Sequence, residues 1–555
     1  MLSTQGGPTL DLLPLTKRRP HTWRWDLRAE VRRSKSFVQE RNTSASARPG
    51  ASCSFFHYCV PSVWGRRRIS SACFIRFSGN GRWTFRKMGS SVPERGRKDR
   101  GVINMATNTL RAFFQRAVHL AQDQNPARST KEKHEIAEQE YSVFPHSNRT
   151  RQIYQLTMAL AKAVKGVYIV AAKRTAFGTF GGKLKNVSAT DLGIYASQAA
   201  LQAGKVKPED VNSIVFGNVI TSAVDGIYSS RHIGLKCGVP LAVPALTVNR
   251  LCGSGFQAIV TGAQEIMLGL SDIVLAGGIE NMSQTPYAVR NIRFGTRLGE
   301  NLRLEDQLWE SLTDSYCKLP MGMTAENLAE KYNFTREDCD RYAVQTQDRW
   351  RVANETGVFK DEIIPVPVKG KKGQEMFEVD EHPRAATMEA MAKLPPVFKK
   401  NGTINAGNAS GIVDGGCALV LASEAAVQKH SLEPLAKIIS YGISGCEPSI
   451  MGIGPVPSSK AALAAIGKEV KDMDVVEVNE AFAPQFLAVR KELGLDNDKT
   501  NVNGGAIALG HPLGASGARI TTNLTYDIRR RGLQYALGSA CIGGGQGITV
   551  IIERV

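Results

Sequence analysis

The feature that most constrains the fold of this chain is a short turn around Cys252, where an apolar run leads directly into an amphipathic helix. The segment reads NRLCGSGF from Asn249 to Phe256. Behind the cysteine, apolar residues recur every three or four positions, as they do on one face of a helix: Phe256, Ile259, Val260, Ala263, Ile266 and Met267. Gly269 then provides a typical helix stop.

Alternating strands and helices follow on both sides of this turn. The pattern predicts strands at 213–219, 271–278, 417–422, 474–478, 535–539 and 548–552, and helices at 188–203 and 460–466. Such alternation indicates an α/β fold with a parallel sheet that is covered on both faces. A further helix is predicted to open at His511 and to stop at Gly532. Because Cys252 and His511 both lie at a strand–helix turn, the sequence indicates two halves of similar topology.

The pattern changes between about residues 282 and 407. Long polar helices are predicted at 325–332 and 336–352, followed by a lysine-rich hairpin at 369–373. This segment is interpreted as an inserted subdomain. The favoured interpretation of its lysines is that they lie in a solvent-exposed turn. The alternative is that they contact an anionic ligand.

The positive charge of the chain lies almost entirely in its first 157 residues. These carry 28 Lys and Arg against 11 Asp and Glu, a net +17, which leaves +2 of the total of +19 for residues 158–555. The net positive charge therefore does not indicate that residues 158–555 bind nucleic acid. Residues 1–157 show poor periodicity, so we expect a disordered extension.

Three interpretations of this extension remain open. The stretch from Met105 to Leu120 is amphipathic and free of acidic residues, which is typical of an organelle presequence. The extension can also be an over-extended start, with initiation at Met105 or Met158. A third interpretation is an RNA- or membrane-binding arm that uses its tryptophans: Trp23, Trp25, Trp64 and Trp83.

Several classes of protein are disfavoured by what the sequence lacks. No run of 18 apolar residues is present, so a transmembrane helix is not expected. The ten cysteines form no CxxC pair, which indicates free thiols in a reducing compartment. The four histidines beyond residue 157 have no zinc-ligand spacing, so no metal is predicted.

Three residues are candidates for chemistry. Cys252 at a helix N-terminus faces unpaired N–H groups, which favours the thiolate, and its neighbouring glycines allow close approach of a substrate. The alternative for Cys252 is a buried small hydrophobe. His511 in a glycine-rich loop is a candidate base, and Cys541, which precedes three glycines, is a second thiol on a loop.

Taken together, the motifs resemble the thiolase family, the acetyl-CoA C-acyltransferases. They are NRLCGSGF around Cys252, GNASG around Ser410, NEAFA at 479–483, GGAIALGHPLGASG around His511 and SACIGGGQG around Cys541. The resemblance extends from about Met158 to Val555. It implies the thiolase fold, an α/β fold in which two similar βα halves stack as an αβαβα five-layer sandwich. The domains would be 158–429, with the CoA-binding insert at 282–407, and 430–555.

The resemblance also implies a reaction, the reversible cleavage of a 3-ketoacyl-CoA by CoA to acetyl-CoA and a shortened acyl-CoA. Cys252 would carry the acyl group as a thioester, with His511 as its proton acceptor. Cys541 would donate or abstract the proton on the α-carbon. One oxyanion hole would use His511 with a water held by Asn479, and the other the backbone N–H groups of Cys252 and Gly543.

The same resemblance implies the partners of the chain. CoA would act as co-substrate, with no permanently bound cofactor, and would contact Arg384 and Thr387 through its nucleotide and Ser410 through its pantetheine. A homotetramer is typical of the family. The C-terminus is not of the peroxisomal Ser-Lys-Leu type, so the mitochondrial matrix is the expected location.

Substrate range is the remaining question. Thiolases specific for acetoacetyl-CoA often carry a His-Met-Gly segment where this chain has Pro320-Met321-Gly322. A 3-ketoacyl-CoA thiolase of fatty-acid β-oxidation with a broader chain-length range is therefore favoured. The alternatives are an acetoacetyl-CoA thiolase and an acyl-CoA hydrolase. The decarboxylating condensing enzymes are disfavoured, because they use Cys-His-His rather than Cys-His-Cys.

Overall fold

The structure, a computed structural model, describes residues 73–78, 82–87, 160–370 and 372–555. The chain divides into two compact units, Met1–Ser129 and Thr130–Val555. In the first unit, β1 (Cys73–Ser78) and β2 (Arg82–Lys87) pair as an antiparallel hairpin, although the sequence predicted no regular structure there. The other expectations for residues 1–157, including the amphipathic stretch after Met105, fall outside the described residues.

The second unit is built from strands and helices that alternate along the chain. Its strands are β3 (Leu160–Ala163), β4 (Val167–Thr175), β5 (Gly178–Thr179), β6 (Ser213–Gly217), β7 (Ala245–Val248), β8 (Ile273–Asn281), β9 (Tyr287–Val289), β10 (Leu304–Asp306), β11 (Thr313–Asp314), β12 (Leu319–Pro320), β13 (Ile363–Ile364), β14 (Val366–Gly370), β15 (Gly373–Phe377), β16 (Val413–Ser423), β17 (Ala436–Gly445), β18 (Val475–Val478), β19 (Tyr535–Ile542) and β20 (Gln546–Arg554). Its helices are α1 (Ala189–Ala203), α2 (Ser229–Lys236), α3 (Ser254–Met267), α4 (Gln307–Ser311), α5 (Met321–Tyr332), α6 (Arg336–Glu355), α7 (Met388–Ala392), α8 (Glu424–Lys429), α9 (Pro455–Ala464), α10 (Ala483–Leu493), α11 (Ala506–Leu509) and α12 (Ser516–Arg530).

The sheet shows the same strand order twice. In the N-terminal half the order is β7-β6-β8-β16-β4, with the first two pairings parallel and the last two antiparallel. In the C-terminal half the order is β18-β19-β20-β17, with one parallel pairing and then two antiparallel ones. Next to β18, a single parallel bridge between Val476 and Thr500 takes the position that β7 has next to β6 in the N-terminal half. The predicted duplication of topology is therefore confirmed.

Three apolar cores separate the layers. The central core combines one face of α3 and of α12 with inward residues of both half-sheets, among them Phe256, Ile259, Ile520, Leu524, Val274 and Val550. A second core lies under α1 and α2, and a third under α9 and α10. Because each half-sheet is apolar on both faces, the layer order is helix, sheet, helix, sheet, helix, as the five-layer prediction requires.

The two central helices meet at glycines. A Cβ atom at Gly255 of α3 would lie 2.5 Å from the backbone nitrogen of Ala518, and one at Gly517 of α12 would overlap the backbone nitrogen of Phe256. No side chain can be added at either position without moving the other helix. The glycines thus bring the N-terminal ends of α3 and α12 into backbone contact.

The segment between β8 and β16 is tied to the rest of the unit by buried charges. The guanidinium of Arg174 on β4 donates hydrogen bonds to Glu362 at 2.7 Å and to Asp380 at 2.7 and 3.1 Å, and all three side chains are buried. Asn523 of α12 donates to the second oxygen of Glu362 at 3.2 Å. This network joins the inserted segment to the N-terminal half-sheet and to the central layer.

Candidate active site

Cys252 lies in the turn between β7 and α3, and the geometry of this turn is unusual. Leu251, directly before it, has a φ of 45°, which places a non-glycine residue in the left-handed region. Two side chains hold this conformation. Asn249 accepts the N–H of Leu251 at 2.9 Å, and the Ser254 hydroxyl donates to Leu251 O at 2.7 Å. Cys252 as a residue is partly exposed, so the turn lies near the surface, although its sulfur is surrounded by buried groups.

The surroundings of the Cys252 sulfur exert opposing effects on its pKa. Burial raises the pKa of the thiol to about 11, and hydrogen bonds from the N–H groups of Gly543 and of Cys252 itself lower it. The nearby carboxylate of Glu280 raises it further. The helix N-terminus was expected to favour the thiolate, but the pKa of Cys252 is raised instead, because the loss of hydration outweighs the N–H hydrogen bonds.

His511 is 6% exposed and lies in the short loop between α11 and α12. The predicted start of a helix at His511 is wrong, since α12 begins at Ser516 after a turn through Pro512 and Gly514. The backbone N–H of His511 donates to Gly411 O at 2.9 Å, next to Ser410. The GNASG and GHPLG motifs are therefore in direct contact.

The hydrogen bonds of His511 indicate which ring nitrogen carries the proton. The Ser516 hydroxyl lies 2.6 Å from Nδ1 and also 3.0 Å from Pro512 O. Because a hydroxyl has one proton and the carbonyl can only accept, Ser516 donates to Pro512 and accepts from Nδ1–H. Nε2 is then unprotonated, and burial lowers the pKa of His511 to about 3, with a smaller effect from Arg519. A neutral imidazole with a free Nε2 can act as a base.

Asn479 lies opposite this nitrogen, immediately after β18. Its Nδ2 is 3.4 Å from His511 Nε2, and its backbone N–H donates to Ser539 O at 2.8 Å. Its Oδ1 is buried and has no partner among the residues that the structure describes. A buried amide oxygen of this kind is suited to accept a hydrogen bond from a further group.

Cys541 is fully buried within β19, so its predicted position on a loop is wrong. Burial raises its pKa well above the ordinary value, and the neighbouring thiols of Cys252 and Cys446 raise it further. The three glycines after β19 form the turn itself, where Gly544 and Gly545 have φ of 77° and 82°. The turn presents the N–H of Gly543 to the Cys252 sulfur.

Apolar side chains surround the site on the side of the inserted segment. Cys252 packs against a cluster of Ile220, Met282, Leu308 and Leu513, with Val219 and Leu312 at its edge. Met321, from the Pro320-Met321-Gly322 segment, packs with Cys541. Leu308 and Leu312 were not identified from the sequence, because nothing in α4 or beside it resembles a motif.

The three predicted CoA contacts are spread over two places. Ser410 donates its backbone N–H to Ala481 O at 3.0 Å, close to Asn479. Arg384 and Thr387 are exposed on the inserted segment, where the Arg384 guanidinium donates to Ala406 O at 3.3 Å and Thr387 caps α7. The structure thus brings Ser410 to the site, while the other two lie on the surface.

Two further features are absent from the described part of the chain. No cluster of three or more His, Cys, Asp or Glu side chains there could hold a metal ion. No helix among the same residues is long and apolar enough to cross a membrane.

Comparison with known proteins gives a consistent result. The profile of the thiolase N-terminal domain matches residues 167–425, and that of the thiolase C-terminal domain matches residues 432–554. The chain is 61% identical over 391 residues to the human protein named 3-ketoacyl-CoA thiolase, mitochondrial, covering 70% of this chain and 98% of the relative. It is 48% identical over 391 residues to beta-ketothiolase BktB of Cupriavidus necator, covering 70% of this chain and 99% of that protein.

Solved structures agree with the sequence comparisons. The crystal structure of human mitochondrial 3-ketoacyl-CoA thiolase superposes with a TM-score of 0.70 at 61% identity, covering 70% of this chain and 99% of that chain. The same human enzyme in complex with CoA superposes with a TM-score of 0.70 at 60% identity, covering 71% and 99%. The resemblance inferred from the motifs is confirmed, and the chain belongs to the thiolase family.

Proposed function

We propose that the protein is a 3-ketoacyl-CoA thiolase, an acetyl-CoA C-acyltransferase of fatty-acid β-oxidation. It cleaves a 3-ketoacyl-CoA with CoA to acetyl-CoA and an acyl-CoA shortened by two carbons. The observation that carries this proposal is that two loops of one half pack against the Cys252 turn of the other: Leu513, in the loop of His511, packs against Cys252, and the N–H of Gly543, after Cys541, is directed at its sulfur. Cys252 comes from the N-terminal half, and His511 and Cys541 come from the C-terminal half.

The first half-reaction forms the acyl-enzyme. His511 Nε2 takes the proton of the Cys252 thiol, and the sulfur attacks the 3-keto carbon. The N–H groups of Cys252 and Gly543 face this sulfur, so they are placed to stabilise the tetrahedral oxyanion. The carbon–carbon bond then breaks and expels the enolate of acetyl-CoA. The enolate oxygen lies near His511 and a water on Asn479, and Cys541 gives its proton to the α-carbon.

The second half-reaction returns the enzyme to its starting state. The Cys541 thiolate takes the proton of a CoA thiol, whose sulfur attacks the Cys252 thioester. The carbon–sulfur bond to Cys252 then breaks, and protonated His511 returns its proton to the departing Cys252 sulfur. Because one thioester replaces another, the step is nearly balanced in free energy and runs in both directions. The raised pKa of both cysteines favours protonated thiols between turnovers.

CoA is the co-substrate in this proposal, which is supported by the crystal structure of the human relative in complex with CoA. Ser410 is proposed to contact the pantetheine, and the hydrogen bond from its backbone to Ala481, two residues after Asn479, supports this. Arg384 and Thr387 are proposed to contact the nucleotide from the exposed surface of the inserted segment. The Thr387 hydroxyl already accepts the N–H of Ala390 at 3.2 Å, so its contact with CoA would use the hydroxyl proton.

Location and assembly are proposed on similarity and on surface chemistry. The relatives at 61% identity are named mitochondrial, which supports a mitochondrial location. Within the mitochondrion, the matrix is our proposal. A homotetramer is supported by exposed apolar residues on the edge of the sheet and on the inserted segment, such as Leu246, Phe294 and Leu298. Surfaces of this kind are typical of contacts between subunits.

The test is a thiolysis assay on the full chain with 3-ketoacyl-CoA substrates from C4 to C16, with and without CoA. Cys252→Ser is expected to lower turnover by roughly a thousand-fold, because a hydroxyl is a far weaker nucleophile at neutral pH. Cys446→Ser is the matched control, since this thiol neighbours Cys541 but has no proposed role. Near-wild-type turnover of Cys252→Ser contradicts the proposal, as does release of free acid without CoA. Cleavage restricted to C4 would identify an acetoacetyl-CoA thiolase instead.

A further inference from the structure

We propose that Glu280, at the end of β8, is a positioning residue that holds the His511 loop of one half against the Cys252 turn of the other. This inference rests on the function proposed above. Cys252 and His511 belong to different halves of the fold, so the distance between them depends on contacts that cross the boundary. The Glu280 carboxylate is one such contact, and it has no role in the reaction steps described.

The carboxylate is fully buried and receives four N–H donors. One oxygen accepts from Asn218 Nδ2 at 3.1 Å and from the backbone of Ile220 at 3.0 Å. The other accepts from the backbone of Val219 at 3.2 Å and of Gly514 at 2.9 Å. Three donors come from the loop after β6, and the fourth comes from the loop that carries His511.

A short hydrogen-bonded path leads from Glu280 to the nucleophile. The carboxylate orients Val219, whose carbonyl accepts from Asn249 Nδ2 at 3.0 Å. Asn249 Oδ1 in turn accepts from Leu251 N–H at 2.9 Å. Leu251 holds the left-handed conformation that precedes Cys252. Glu280 therefore supports the strained turn on which the sulfur lies.

The path to the base is equally short. Gly514, held by Glu280, lies three residues after His511, and Leu513 between them packs in the apolar cluster around Cys252. A Cβ at Gly514 would overlap Ile279 O and lie 2.8 Å from Gly217 O, so the loop rests directly on the ends of β6 and β8. The Glu280–Gly514 bond therefore fixes the register of this loop.

The charge of Glu280 gives the proposal a separate readout. Burial raises the pKa of Glu280 to about 8 and the N–H donors oppose this, while Asp414 is the other titratable group that acts on it. Each oxygen already faces two N–H donors, which matches the ionised form. The negative charge of Glu280 raises the pKa of the Cys252 thiol. Replacing Glu280 by a neutral residue should therefore lower the pKa of Cys252.

The test compares Glu280→Gln with the wild-type protein. The amide N–H₂ of glutamine would face the N–H groups that now donate to the carboxylate, so these hydrogen bonds would be lost. We therefore expect Cys252 and His511 to be misplaced and kcat to fall about 100-fold. KM should change less than about threefold. The rate at which iodoacetamide alkylates Cys252 is measured by mass spectrometry at a series of pH values. In Glu280→Gln, the pH at which this rate rises should be lower than in the wild-type protein. Glu326→Gln is the matched control, because Glu326 is also buried and accepts backbone N–H groups, from Thr403 and Ile404.

A second variant covers the case in which Glu280→Gln does not fold. Asn249→Ala removes the exposed link to Leu251 and leaves the carboxylate in place, so kcat should fall about tenfold with KM retained. Wild-type kcat in either folded variant overturns the proposal, as does an unchanged alkylation profile in Glu280→Gln. If the wild-type protein itself has no thiolase activity, the proposed function fails, whereas the alkylation profile still decides whether Glu280 acts on Cys252.

Discussion

The two active-site thiols differ in what surrounds them, and the difference suits two kinds of chemistry. Cys252 belongs to a partly exposed turn and has two N–H groups directed at its sulfur, so in the proposed reaction they would stabilise the oxyanion where it forms. Cys541 is fully buried in β19, and burial keeps it protonated. The first environment is suited to attack on a carbonyl carbon, and the second to holding a proton for the α-carbon.

This division of roles predicts that the two half-reactions can be separated. Cys541→Ser should lower cleavage of 3-ketoacyl-CoA by about 10²–10⁴-fold, because proton transfer at the α-carbon is lost. Exchange of the acyl group between an acyl-CoA and free pantetheine needs only Cys252 and His511, so it should stay within about tenfold of wild type. Equal losses in both assays would show that Cys541 acts on the nucleophile rather than on the α-proton.

The proposed catalytic residues could be selected from the sequence alone, because glycine-rich motifs accompany Cys252, His511 and Cys541. Glu280 could not, since its role depends on donors at positions 218, 219, 220 and 514 that only the fold brings together. The pKa of Cys252 was predicted in the wrong direction for a related reason. A helix N-terminus can be identified in a sequence, whereas the burial of the sulfur cannot.

At the scale of elements, the site depends on the crossing of α3 and α12. Cys252 precedes α3 by two residues, and His511 precedes α12 by five. The crossing at Gly255 and Gly517 brings both helix N-termini to one place. The boundaries of α12 illustrate what sequence patterns miss, because its apolar spacing extends back to Leu513 while Pro512 and Gly514 keep that stretch in a turn.

Gly517→Ala is therefore expected to affect both stability and activity. The added methyl group would collide with the backbone of Phe256, so the free energy of unfolding should fall by about 1–3 kcal/mol, and kcat should fall because both helices shift. Urea unfolding and the thiolysis assay measure the two effects. Gly445→Ala is the control, since the atom nearest to its Cβ, Gly545 O, is 3.9 Å away. Similar stability of the two variants would contradict the tight crossing.

At the scale of the molecule, one buried cation joins three parts of the unit. Arg174 lies on β4, its partners Glu362 and Asp380 lie in the inserted segment, and Asn523 connects Glu362 to the central layer. The carboxylates that pair with Arg174 are separated from it by 188 and 206 residues in the chain. No sequence pattern predicted this network, because each of its members resembles an ordinary surface charge when viewed alone.

Arg174→Met is expected to lower the free energy of unfolding by about 3–5 kcal/mol, because it leaves two buried carboxylates without a cation. Arg351→Ala provides the control. Its guanidinium is half-exposed and pairs with Asp348 and Glu355 one turn away on α6, so its loss should lower stability far less than the loss of Arg174. Urea unfolding measures the free energy of unfolding of Arg174→Met and of Arg351→Ala. Equal losses would show that the buried network contributes no more than a surface pair.

The central layer also has a consequence for biosynthesis. α3 spans residues 254–267, whereas its partner α12 spans residues 516–530, close to the end of the chain. At about 5–20 residues per second, a ribosome needs roughly ten seconds or more to add the intervening residues. During that time the apolar face of α3 lacks the helix that covers it in the finished protein. The nascent N-terminal half therefore exposes an apolar helix face until residues 516–530 are made, and such surfaces are prone to aggregate and are bound by chaperones.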